Sequence, residues 1–303
     1  MKKVYTVITV IMALALMTSG VYAAKKYTLQ YKYEKGKVQR YEWAQKQFVT
    51  MTGMPTGPGG AEGGTMEVEM NLDGVVAYKT TAVLKDGTAA QEIKFERFDT
   101  QTNLPGGGPG AQLSKMMTSV GFATLVTKTG DIESFKIVGN ANPMMADNEL
   151  VKSIEQSLKN QPAFPKDGVS VGKSWTQTIN GNLPLPGVGG AASLVTKATY
   201  TLKKIEKWNG IKNAAVFDLK ANIAIDAPKD PGTGKPIMQG RGSFTGSMIF
   251  LIDQGVLATM NMKGTQTNTL VMPMGPGGNP VEMTQKINLE KRQTLQQGTP
   301  KKK

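Results

Sequence analysis

The sequence predicts a mainly β (α+β) fold: two related, strongly bent antiparallel sheets, with one or two short helices packed on the first. Three observations predict it. Apolar and polar residues alternate with period two over most of the chain, Asp-Gly and Asn-Gly pairs punctuate the alternating runs, and one hairpin pattern occurs twice. The clearer copy is Gly246–Gly264, where an apolar run Met248–Ile252 meets a turn at Asp253–Gly255 and alternation resumes through Leu257, Met260 and Met262. A constant offset of 125 lays Gly121, Gly130 and Gly139 on Gly246, Gly255 and Gly264. The same offset sets Leu125, Val126, Ile132, Phe135 and Ile137 on Phe250, Leu251, Leu257, Met260 and Met262. Eight matched positions in so short a window point to a duplicated β unit.

Residues 1–23 read as a secretory signal peptide: Lys2 and Lys3 lead an apolar stretch, and Val21–Tyr22–Ala23 has the small-x-small form of a cleavage site. The expected location is therefore extracytoplasmic, periplasmic or secreted. With no cysteine in the chain, anchoring through a lipidated cysteine is excluded, and the folded state must rely on its core rather than on disulfides.

The expected first β half spans residues 24–160. It opens with an alternating strand, Tyr27–Tyr33, a turn at Glu34–Lys37 and a second strand, Val38–Thr50. Strands Met66–Leu72, Val75–Leu84 and Ala89–Asp99 follow, with Asp73–Gly74 and Asp86–Gly87 read as tight turns between them. Two stretches have helical spacing instead. Leu113, Met116, Met117 and Val120 place a helix at residues 111–120, and Leu150, Val151, Ile154 and Leu158 place another at 147–160. The expected second half spans 161–293, with strands at Ser174–Ile179, Ser193–Ile205, Ala214–Ile225, Gly240–Ile252, Val256–Leu270 and Val281–Arg292, and Asn209–Gly210 as a hairpin turn. Residues 294–303 form a basic tail. Gly-Pro loops interrupt both halves; MPTGPGG at 54–60 recurs as MPMGPGG at 272–278.

The formal charge of +13 favours anionic partners such as an envelope surface, but no arginine-rich helix or basic–aromatic platform suggests nucleic acid. The chain contains no histidine, which removes the usual general base near neutral pH and the commonest transition-metal ligand. Catalytic motifs fail individually. Ser170-x-x-Lys173 and Lys128–Thr129–Gly130 resemble motifs of penicillin-binding serine enzymes, yet their order is reversed. Gly232–Lys235 lacks the leading glycine of a phosphate loop, and Pro236 replaces its Ser/Thr. Glu67 with Glu69, and Glu92 with Glu96, fall on the polar side of strands, and Asp226 with Asp230 lacks the calcium-loop pattern. No enzyme, cofactor or metal centre is expected.

What stands out is an abundance of methionine, 18 in all, much of it in or beside strands. Methionine fills irregular cores and lines adaptable apolar sites. If a cavity exists, the expected ligand-lining set is Phe122, Phe135, Phe217, Phe250, Met248, Met260 and Met262, with Phe244 nearby, a surface suited to a lipid or other apolar ligand.

Lys35–Lys37, Val171–Trp175 and Ile252–Val256 form a Lys-Gly-Lys or Val-Gly-Lys-Ser-Trp opening and a closing Asp-x-Gly hairpin. In these features the chain resembles uncharacterised bacterial secreted proteins with a duplicated antiparallel β unit, and its architecture is distantly similar to periplasmic lipoprotein-carrier half-barrels. The resemblance implies a bent sheet that handles lipid, and assigns no site residue. The expected function is non-enzymatic binding of an apolar or amphiphilic ligand at the cell envelope. The alternative is a structural or interaction module of a surface or periplasmic assembly. A cavity of roughly several hundred Å³ favours the first, and a solid core with a long unpaired edge strand favours the second.

Overall fold

The computed structural model describes residues 25–55, 63–104, 110–138, 161–184, 191–230, 234–272 and 281–296, with side chains of Pro55, 110–113, Pro184 and Met272 excepted. The expected signal peptide, the second expected helix (147–160) and most of the expected basic tail lie outside these residues. Among the described residues, the elements in chain order are β1 (Lys26–Tyr27), β2 (Val38–Pro55), β3 (Gly63–Val83), β4 (Ala89–Thr102), α1 (Gly110–Ser119), β5 (Gly121–Val126) and β6 (Ile132–Val138). There follow β7 (Val169–Ser170), β8 (Ser174–Pro184), β9 (Ala191–Trp208), β10 (Ile211–Asp226), β11 (Met238–Leu251), β12 (Val256–Met272) and β13 (Val281–Leu295).

The fold is mainly β and antiparallel. Eleven strands form one sheet in the order β6-β5-β4-β3-β2-β13-β12-β11-β10-β9-β8, and β1 pairs separately with β7. The two sheets expected from the sequence are thus a single one. The join is made by β13, which pairs with β12 on one side and β2 on the other, so the backbone groups of both neighbours are satisfied across the boundary. β13 also carries Thr294 and Leu295, two residues beyond the expected second half.

Because successive strands are neighbours, alternate connections fall at opposite ends of the sheet. The tight turns at 84–88, 127–131, 209–210 and 252–255 share one end. Asn209 and Gly210 both have positive φ, as a two-residue hairpin turn demands. The long connections between β2 and β3, β8 and β9, β10 and β11, and β12 and β13 share the other end.

Two expectations fail for identifiable reasons. Asp73–Gly74 does not turn: β3 runs through it for 21 residues. Gly74 is paired between Trp43 and Phe98, and a Cβ added there would lie 2.9 Å from Trp43 Nε1 and 2.5 Å from the Arg97 carbonyl. The glycine therefore admits a close approach of an indole rather than reversing the chain. Tyr27–Tyr33 does not join the main sheet either. Beyond β1 it crosses the turn end, where Tyr31 N–H donates to the Lys128 carbonyl and Lys32 N–H to that of Gly255.

A second crossing segment, residues 161–168, packs beside the first. Trp175 Nε1 of β8 donates to the Ala163 carbonyl at 2.9 Å, and the Ala163 N–H donates to Gln177 Oε1 at 3.1 Å. The next residue, Phe164, donates its N–H to the carbonyl of Thr129, in the β5–β6 turn. Gly130 in that turn has φ +98°, and a Cβ there would strike the Pro162 carbonyl and the Tyr31 ring, each 2.6 Å away. Phe164 itself is buried, with its ring centroid 4.6 Å from that of Phe250 and 5.3 Å from that of Tyr31.

The expected first helix is present as α1. Met117 and Val120 are buried where the helical spacing put them, with Val120 in the main core cluster.

The close packing at Gly74 predicts that Gly74→Ala destabilises the protein by about 1–3 kcal/mol through overpacking. A melt unchanged from wild type, with unchanged tryptophan fluorescence, would contradict this placement of Trp43.

Candidate functional site: an aromatic cavity with one cation

Strand alternation sends Tyr41, Trp43 and Gln45 of β2 to the same face as Val76 and Tyr78 of β3 and Tyr200 of β9. With Tyr31, Gln161 and Pro162 of the crossing segments, these line a cavity of about 520 Å³. Further walls come from β4, β8, β10, β11, β12, β13 and Met117 of α1. The lining is chiefly aromatic and aliphatic, with Phe95, Phe98 and Phe244 among its rings. Tyr41 meets Tyr78 edge-on at 5.5 Å, and Trp43 packs against Phe98 at 5.5 Å, so neighbouring rings fix one another.

Of the seven expected lining residues, Met260 and Met262 line the cavity. Phe122, Phe217, Phe250 and Met248 are fully buried instead, and Phe135 stacks on Phe122 at 5.3 Å. The reason is the crossing segments: Phe164 and Tyr31 cover Phe250, and Phe164 and Trp175 cover Phe217. The turn-end rings belong to solid core, and the hollow lies further along the strands.

The polar groups of the cavity are few. Tyr31 Oη donates to the Pro162 carbonyl at 3.2 Å, Tyr33 Oη to the Thr127 carbonyl at 3.3 Å, and Gln161 Nε2 to Tyr78 Oη at 3.4 Å. Burial raises the phenol pKa of Tyr78 and Tyr200 to about 12, and pushes those of Tyr31, Tyr33 and Tyr41 well above the ordinary phenol value. All five are neutral hydrogen-bonding groups at physiological pH.

Neither Asp nor Glu lines the cavity, and Lys291 is its one charged residue among those described. Lys291 follows Ile287 and Leu289 on the inward positions of β13, while Lys286, Asn288, Glu290 and Arg292 are exposed. It is paired with Gln45 of β2 and Met262 of β12. It makes no hydrogen bond or ion pair among the described residues, and desolvation lowers its ammonium pKa. The alternation through Ile287, Leu289 and Leu295 puts this lysine on the inner face. That same alternation was the signal that could have found it.

A larger depression, about 900 Å³, is lined by β2, β3 and β10–β13 and shares Gln45, Leu72, Leu219, Met262 and Lys291 with the cavity. Its outward side chains mix both signs, with Lys46, Asp73, Asp218, Lys220, Glu290 and Arg292 among them. Several are already committed: Lys46 to Glu69, Asp73 to Arg97 and Asp218 to Lys203. We therefore place the candidate site in the smaller, apolar cavity, which has the volume and lining typical of ligand pockets.

Several of the carboxylates set aside on sequence grounds lie in ion pairs. Glu96 pairs with Arg40 and Glu69 with Lys46, and Asp226 pairs with Arg241. Among the described residues, no cluster of acidic side chains could hold a metal ion. The chain matches no protein-family model and no curated protein sequence.

The tyrosines predict alkaline sensitivity. Their folded pKa values lie above the ordinary value of 10, so their stabilising effect is complete below pH 10. It is lost as pH rises from there through about 12, where Tyr78 and Tyr200 ionise in the folded state. Lys291, facing them with a lowered pKa, acts in the opposite sense. Absorbance at 295 nm should show tyrosine ionisation coinciding with loss of β circular dichroism. Ionisation of all five near pH 10 in a still-native protein would refute the burial argument.

Proposed function

We propose that this is a non-enzymatic, extracytoplasmic protein whose sheet is strongly bent around a cavity for an apolar or amphiphilic ligand. The observation that carries the reading is the cavity of about 520 Å³, walled by aromatic, methionine and aliphatic side chains. It offers hydrogen bonds but no nucleophile–base pair for chemistry.

Three features support the bend. β5 and β8 stand nine strand spacings apart in the sheet order, about 43 Å if the sheet were flat. Yet Ala163 and Phe164, adjacent residues about 3.8 Å apart at Cα, hydrogen-bond β8 and the β5–β6 turn respectively. Register shifts at Val75/Val76, Val216/Phe217 and Ile249/Phe250 supply bulges, which increase local twist and bending.

The duplication is part of the same reading. The offset of 125 maps β3, β4, β5 and β6 onto β9, β10, β11 and β12 to within a few residues at the turn end. The openings also correspond in hydrogen bonding. Gly36 N–H donates to the Thr80 carbonyl while Lys37 accepts from Thr80 N–H; Gly172 and Lys173 do the same with Leu202. The two units follow head to tail in one sheet.

Export rests on residues 1–23, and attraction to an anionic envelope surface on the net charge of +13. Among the described residues no helix is long and apolar enough to cross a membrane.

Native mass spectrometry of gently purified protein should show an adduct that leaves on denaturation. Ala198→Phe, which fills the cavity from β9, should lower uptake of added lipid by about tenfold. A clean mass with no uptake from a lipid extract would transfer the weight to an interaction module. Binding to anionic vesicles should exceed that to neutral ones and weaken as salt rises; equal binding to both would remove charge as the cause.

A further inference from the structure

Inward rungs of the sheet show what surrounds Lys291. Across β3, β2, β13, β12 and β11, its own rung reads Leu72, Gln45, Lys291, Met262 and Gly246. The rung toward the turn end reads Gly74, Trp43, Gln293, Met260 and Met248, and the one on the other side Met70, Gln47, Leu289, Gly264 and Phe244. The ammonium thus stands among neutral amides, thioethers and rings, with no carboxylate at any of these positions. Gly246 and Gly264 present no side chain there, and a Cβ at either would collide with the neighbouring strand, at the carbonyls of Asn261 and Ser243 respectively.

A desolvated cation without a counter-charge is costly, and structures normally pair such a group. Where protein supplies no anion, a ligand that does would gain what the site otherwise loses. Gln45 Nε2 donates one N–H to Gln47 Oε1 at 3.4 Å, and its second N–H, with the amide of Gln293, can donate to the same oxyanion. The apolar remainder of the cavity runs from this point toward Tyr41, Tyr78 and the crossing segments.

We propose that the ligand is an amphiphile with a single anionic head, a carboxylate or phosphate on an acyl body, and that Lys291 pairs with that head. This rests on the apolar-ligand reading above and names the polar end of the same ligand. Gln45 and Gln293 complete the oxyanion contact, and the aromatic walls take the chain. The other charges of β13, Glu282, Lys286, Glu290 and Arg292, are exposed at the alternate positions and leave the pairing to Lys291 alone.

The test compares oleate, oleoyl lysophosphatidate and oleyl alcohol by calorimetry on wild type, Lys291→Met, Lys291→Gln and Lys291→Arg, with thermal melts of each. Wild type should prefer one or both anionic probes over the alcohol by about tenfold or more. The tighter of the two identifies the head as carboxylate or phosphate. Lys291→Met should abolish the preference while leaving oleyl alcohol within about threefold, and should melt no lower than wild type because it removes an unpaired, partly buried charge. Lys291→Gln serves the same comparison should the methionine variant fail to fold, and Lys291→Arg should retain the preference.

Equal binding of alcohol and anions to wild type, or a preference that survives Lys291→Met and Lys291→Gln, would overturn the Lys291 assignment and leave the apolar cavity standing. Competition by inorganic phosphate or acetate as effective as that by oleate would overturn the amphiphile. Failure of all three chains to bind would overturn both readings together.

Discussion

The constraint on which the rest depends is the pair of hydrogen bonds made by consecutive residues, Ala163 to β8 and Phe164 to the β5–β6 turn. Each alone is worth about 1 kcal/mol. Their value lies in what they hold in place. Phe164, seated between Tyr31, Phe217, Phe250 and Trp175, fixes the segment by ring packing, and Pro162 is fully buried beside it. With the turn end filled by rings, the inner side chains further along the strands have nothing packed against them, and that unfilled space is the cavity. A truncation such as Phe164→Ala, at about 3–5 kcal/mol for a buried ring, would attack the floor of the site as well as the core.

Much of the fold was legible because strands longer than ten residues repeat their alternation many times. β4 and every strand from β9 to β13 appear where the pattern put them, extended by a few residues at one or both ends. Asp73–Gly74 misled because a local turn signal was read without its cross-strand partners; only the pairing shows that Trp43 needs the glycine. Tyr27–Tyr33 alternates as a strand should, yet only Tyr27 pairs with a strand, at Val169, and further along Tyr31 and Lys32 bond two hairpin turns. Alternation records which residues face inward, and both placements face Leu29 and Tyr31 inward. It does not record what the backbone meets.

The site was less legible for a related reason. Phenylalanines and methionines of both hairpins were read as a lining, and the rings nearest the turns proved to be core because two distant segments cover them. No short-range pattern tells a covered apolar position from an uncovered one. The tyrosines were visible as strand residues but carried no hint of enclosure, which follows from the register of β2, β3 and β9 around the floor. Methionine does serve the cavity, at Met70, Met117, Met260 and Met262, where an unbranched side chain can repack around a guest.

β13 separates architecture from chemistry. If β2 to β6 correspond to β8 to β12, each strand of one unit has a counterpart in the other, and β13 has none. It is the strand that a head-to-tail pair of units requires, since it satisfies β12 and β2 at once. It is also the strand that brings the single cation into the apolar interior. A symmetric sheet made from two copies would have only neutral groups to offer a ligand, and could select by size and shape alone. An inserted joining strand breaks that symmetry at one point, and a lone charge at that point gives the cavity a direction: polar end at Lys291, apolar end at the aromatic floor. Orientation of a guest in an otherwise featureless apolar space needs one such group and is confused by several. On the proposed reading, the strand that joins β12 to β2 is therefore also the element that would decide which way a ligand lies.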